Sequence, residues 1–190
     1  MSRTFPDFAV RYLVVDEDGQ LWQRSAASYD VALRDVGPEG WDRVRLHNTA
    51  ALCGPGRDVA AFLNDCGLVL PARYGRNVVG TCLLTSLGAG VQPYAGPIVL
   101  TGWNPLPDGD AEVEGLTEQQ VGVIRRVHGE IRVVLGLAPG TPNPSPAHQR
   151  WRAAMRETAE IARTGPTPGV TMLTDDDALA FMMRGGGRRG

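Results

Sequence analysis

The sequence predicts an α+β fold: a small, mainly antiparallel sheet packed against one long helix, with a helical C-terminal tail. Three observations carry that prediction. Phe8, Val10, Tyr12 and Val14 fall at alternate positions, and "AGPIVLTGW" contains a short continuous apolar run, so strands are expected at both places. Val121, Ile124, Val127, Ile131 and Leu135 recur at helical spacing and form one apolar stripe. Behind that helix the composition changes to "APGTPNPSP" and then to a charged helical pattern.

The elements follow in chain order. Asp18-Gly19 allows the positive φ that reverses the first strand into "QLW", making a hairpin. Ser28 stands where a short helix through Leu33 and Val36 needs its N-cap, and Gly37-Pro38 ends that helix. "WDRVRLH" reads as a strand with Val44 and Leu46 on one face and Trp41, Arg43, Arg45 and His47 on the other. "VAAFL", the turn "NDCG" and "LVL" read as strand, turn and strand, with Asn64 and Asp65 bonding the turn backbone and Gly67 left-handed. A helix is expected from the cap Asn77, with Val79, Cys82, Leu83 and Leu87 inward and Gly88 after its end. The "AGPIVLTGW" strand, apolar on both faces, belongs at the centre of the sheet. Thr117 and Gln120 form a capping box for the long helix, which Gly136 ends. A further helix runs from Ser145, with Pro146 at its first position, to about Arg163.

The compact domain is therefore expected over residues 8–137, and residues 138–190 as Pro-rich linker, charged helix and flexible Gly/Arg tail. On this reading a chain cut after Leu137 keeps its melting transition. With 190 residues, 43% of them apolar, the chain is long enough for one domain with a real core. The formal charge of −2 argues against a surface built throughout for nucleic acid, because phosphate neutralisation needs an excess of cations. All 19 basic residues are arginine, as codon bias in a GC-rich actinobacterial genome would produce. The first apolar run is broken by Arg11 and followed by "DEDG", which fits neither a secretory segment nor a membrane span, so a cytoplasmic protein is expected.

"FLNDCGL", "GRNVVG" and "PYAGPIVLTGW", met in this order, make the chain resemble a small domain family of unknown function from phage proteins and actinobacterial mobile-element proteins. The likeness covers roughly residues 10–137 and rests on the Asn64–Gly67 turn, the Arg76-Asn77 pair and the Gly96–Gly102 strand. It implies a compact α+β domain and a mobile-element setting, and it carries no catalytic residues.

Arg73, Arg76 and Asn77, just before a predicted helix, are the leading candidate site, since free N–H groups and the helix dipole attract anions there. Asn64 and Asp65 are expected nearby. The opposing reading makes Asn77 a cap and leaves both arginines in solvent. The function expected is non-enzymatic binding of an anionic small molecule or an acidic protein surface, with no cofactor. The alternative is a small hydrolase or transferase in which Cys53 or Cys66 works with His47 or His128. Cys53, Cys66 and Cys82 lack C-x-x-C spacing, so neither a disulfide framework nor a zinc site is expected. No G-x-x-x-x-G-K-[ST] loop occurs. Asp175, Asp176 and Asp177 follow Thr174 as acids favoured at a helix N-terminus, and no metal is expected there.

Overall fold

The computed structural model describes residues 10–47, 49–54, 58–70, 73–105, 111–141 and 145–165. Phe8, the acidic run at Asp175 to Asp177 and the Gly/Arg tail lie outside the described residues. Six strands among the described residues form one antiparallel sheet: β1 Val10–Val15, β2 Leu21–Ala26, β3 Trp41–Val44, β4 Asp58–Asn64, β5 Ile98–Pro105 and β6 Ala111–Glu114. Their order is β2-β1-β5-β4-β3. β1 pairs with Ile98 to Leu100, and β6 takes the same edge of β5 from Gly102 to Pro105, while β4 fills the opposite edge. β5 is thus the central strand.

The fold class is the expected one, but the sheet is not covered by a single long helix. On one face α3 (Val78–Ser86), α4 (Glu118–Val134) and α5 (Pro146–Thr164) share a core with Leu13, Val15, Ala61, Ile98 and Leu100. The other face carries Tyr12, Val14, Ala60, Phe62 and Val99, and is covered by α1 (Tyr29–Leu33) and a single 3-10 turn, Arg34–Val36. Continuous apolar runs are needed because alternate residues of β1, β4 and β5 enter different cores. Tyr12 ties the 3-10 turn to the sheet by donating to Asp35 at 2.8 Å.

Local chemistry explains most boundaries. The β1–β2 hairpin turns at Gly19, whose φ is 73°. Its turn is bolted to α4, where the buried His128 Nε2 lies 2.9 Å from the Gly19 carbonyl and Arg132 donates to Gln20. Burial holds His128 below its ordinary pKa. α4 has the full capping box, Thr117 with Gln120, and Ile124 and Ile131 are completely buried. α3 ends as expected, with Gly88 at φ 96°.

Several local expectations need correction. Ser28 occupies the N-cap position of α1, but its side chain makes no capping bond. β3 stops at Val44, so exposed Arg45 and His47 lie beyond it. "LVL" is no strand: after Asn64 the chain coils through successive turns, with the Leu70 amide donating to the Cys66 carbonyl at 3.0 Å. Gly67 is not left-handed either. A Cβ there would stand 2.8 Å from the Ala95 carbonyl oxygen, so glycine is required by close approach of backbone. The helix α2 (Thr49–Cys53) and β6 answer to no sequence expectation, being short and weakly patterned.

The largest difference is α5. Its Ser145 cap and first-turn Pro146 are as read, but the helix is docked: Met155, Thr158, Ala159 and Ala162 are buried, and Met155 and Ala159 join the main core. The stripe is built mostly of small residues, which contribute little hydropathy and were outweighed by the charges around them. The composition break near 138 therefore does not coincide with a break in packing. Removing α5 by a stop after Leu137 is expected to lower stability by roughly 3 kcal/mol or more, because one buried methionine alone is worth a good part of that. Urea denaturation of the shortened chain measures it; a midpoint equal to that of the full chain would contradict the docked helix.

Candidate functional site

Asn77 caps α3, and every polar atom of its side chain is occupied. Its Oδ1 accepts from the Gly80 amide at 2.7 Å, and its Nδ2 donates to the carbonyls of Val15 at 3.1 Å and Gly96 at 3.0 Å. The residue is 0% exposed. A Cβ at position 80 would meet Asn77 Oδ1 at 2.6 Å and Ile98 Cδ1 at 2.5 Å, so Gly80 allows the cap to close. Arg76 turns the other way. Its Nη1 donates to Ala162 O at 3.1 Å and Gly165 O at 2.8 Å, satisfying carbonyls at the end of α5 where the dipole is negative.

Arg73, Asn64 and Asp65 belong to a second cluster, centred on Glu39. The Glu39 carboxylate forms an ion pair with Arg73, accepts from the Tyr74 hydroxyl, and accepts from Asn64 Nδ2 at 2.9 Å. Asn64 Oδ1 meanwhile accepts from the Cys66 amide at 2.9 Å, the expected turn bond. Asp65 is exposed. Glu39 and Tyr74 escaped the sequence reading because their partners are far along the chain; the two glycines that aim Glu39 inward, Gly37 at φ 122° and Gly40 at φ 131°, look like ordinary turn residues.

Burial opposes the Glu39 charge, yet the bonds from Tyr74 and Asn64 and the nearby Arg73 outweigh it and hold its pKa below 4.5. Burial first, and then the bond to Glu39, push the Tyr74 phenol to about 12. The five expected residues thus fall into two groups. Of their cationic and amide side chains, all have partners inside the protein.

The cysteines offer little to the alternative chemistry. Burial, then Asp65, raises the Cys66 thiol to about 11, and burial raises Cys82 to about 11. Cys53 is raised by burial and by Asp58. Nucleophilic chemistry needs the thiolate, so these surroundings work against it. His128 is engaged with Gly19, as above. On the β3 face, Trp41 stands edge-on to Phe62 with centroids 5.2 Å apart, and the Arg43 guanidinium lies 4.1 Å above the Trp103 ring.

A cleft of about 360 Å³ opens along the outer side of α4, where it meets the first turn of α5. Arg125, Arg126, Gly129, Glu130, Val133 and Val134 of α4 line it, with Thr141 from the connection and His148 from α5. Arg125 donates to the neutral Gln23 amide oxygen at 2.9 Å, and Arg126 has no partner among the described residues. Neither cation forms an ion pair with a described carboxylate, although Glu130 lines the same cleft. His148 Nδ1 lies 3.7 Å from Glu130, and its ring leans on Trp151 at 5.1 Å. A Cβ at Gly140 would stand 2.8 Å from Val133, so the chain after α4 passes close to that side chain. The sequence marks none of this, because the lining comes from two elements and a connection that only packing brings together.

No family model matches the chain, and no curated protein or solved structure is found similar to it. Among the described residues no group of three or more His, Cys, Asp or Glu could hold a metal ion, and no helix is long and apolar enough to cross a membrane.

Two outcomes are expected at the polar corner. Aspartate is ordinarily as good an N-cap as asparagine. Here Asn77→Asp should be worse than Asn77→Ala, each costing about 3 kcal/mol or more, because the new carboxylate would face two carbonyls in a buried site; denaturant midpoints equal to wild type would refute the knot. The second concerns pH. Tyr74 and Tyr12 are both raised to about 12, so their contribution is complete below pH 10 and is lost as pH rises toward 12. Tyr74→Phe should make that alkaline decline shallower, read as melting temperature against pH; an unchanged slope would show that the Tyr74 phenol does not carry it.

Proposed function

We propose that the protein is a non-enzymatic binding protein that holds a small anionic ligand in the α4–α5 cleft. The phage or actinobacterial mobile-element setting comes from the family resemblance. The observation that carries the reading is the pair Arg125 and Arg126: two guanidinium groups, neither in an ion pair with a described carboxylate, facing one carboxylate, Glu130, in a concave site that also exposes Val133. The corner at Arg73, Arg76 and Asn77 supports an anion less well, since its donors already serve Glu39, the end of α5 and two backbone carbonyls. A forked guanidinium recognises carboxylate or phosphate, and a volume of about 360 Å³ suits a small molecule.

Titration with acetate or inorganic phosphate, followed by the backbone amide shifts of the protein, tests the reading. The expected movement is at Gly129, Glu130 and Thr141, weakened about tenfold in Arg126→Ala, since a charge-assisted bond is worth roughly that. Arg73→Ala should leave it unchanged. Shifts that cluster at Tyr74 and Gly75 and vanish in Arg73→Ala would move the site to the corner.

A further inference from the structure

Helix α4 contains two interior glycines, Gly122 and Gly129, and at neither does any atom beyond the chain neighbours and the helix's own adjacent backbone lie within 4 Å of the place a Cβ would occupy. Glycine inside a helix is less stable than alanine, and nothing here demands it through packing or positive φ. Gly122 faces solvent, whereas Gly129 lies in the cleft, one turn after Arg125 and one turn before Val133. The missing side chain leaves the α4 backbone as the cleft floor.

We infer that Gly129 is a specificity-determining residue. It lets the hydrocarbon body of an organic carboxylate lie on the α4 backbone against Val133 while the head group meets Arg125 and Arg126. The inference rests on the binding reading above and adds the class of ligand. An inorganic anion would satisfy the arginines but make no use of the half-buried Val133, so the apolar part of the lining favours a ligand with a hydrocarbon part. Glu130 lines the same space, and its negative charge disfavours a doubly charged phosphate more than a singly charged carboxylate.

Amide-shift titrations of the full chain with acetate and with hexanoate share a head group and differ in body. Hexanoate is expected to bind at least about tenfold more tightly, from burial of its extra methylenes. Gly129→Ala should raise the melting temperature, weaken hexanoate about tenfold and leave acetate unchanged, because a single methyl in an apolar pocket discriminates at that level. Gly122→Ala should raise the melting temperature and change neither affinity. Equal binding of the two acids, or hexanoate binding untouched by Gly129→Ala, overturns the inference while leaving the anion cleft standing. Failure of both acids to move the cleft amides at any concentration overturns the cleft and this inference together.

Discussion

The constraint on which the rest of the structure depends is the burial of one amide side chain. Asn77 sits where the end of β1, the start of α3 and the approach to β5 converge, and its two N–H groups and one oxygen are shared among all three. Thr81 adds to the knot by donating to the Asn77 carbonyl at 2.8 Å and accepting from the Tyr94 amide at 3.1 Å. A buried polar group is tolerable only when fully paired, so this junction has essentially one arrangement. Hydrophobic cores on either side can then pack against a sheet whose central strand is already registered. The polar knot supplies uniqueness, and the apolar faces supply most of the stability.

A second polar cluster does similar work at the same end of the sheet, where β4 stops at Asn64. Glu39 is held by groups from the coil that follows that strand, so the loop before β3 and the loop before α3 close on each other. Its ionisation has a definite sign. A carboxyl whose pKa is depressed in the fold contributes stability above the unfolded value, near 4.5, and loses it as pH falls through the folded value. His128, also depressed, acts in the same direction from about 6.5 downward. Acid therefore loosens both the corner and the seam between α4 and the hairpin.

Much of the scaffold was legible because it is encoded locally. Asp18-Gly19, the Thr117–Gln120 box, the capping bond of Asn77 to Gly80 and Gly88 each act within a few residues, and the alternation in β1 and the stripe of α4 read directly as faces. Legibility failed where geometry is set from a distance. Gly67 has the turn residues of a left-handed position, yet it answers to the Ala95 carbonyl. The stripe of α5 is mostly alanine and threonine, so only its fit on α3 shows that it is buried. The corner at Arg73 to Asn77 has residue types that suit an anion, and residue types do not reveal that the chain itself already supplies the partners. The cleft on α4 left no mark at all, since two arginines and a glycine on an exposed helix face are unremarkable until His148 and Thr141 are brought beside them.

The bond from Arg76 to the end of α5 joins residues 86 and 89 positions apart. Such non-local closures form after the local ones, because the intervening chain must first be ordered. The hairpin, the sheet and α4 all precede α5 in the chain, so in synthesis the α3 surface that receives Met155 is made before its cover. The carbonyls of Ala162 and Gly165 act as the final latch. A protein assembled this way spends the interval with an apolar groove uncovered, which makes its vulnerability to aggregation a property of translation speed as much as of final stability.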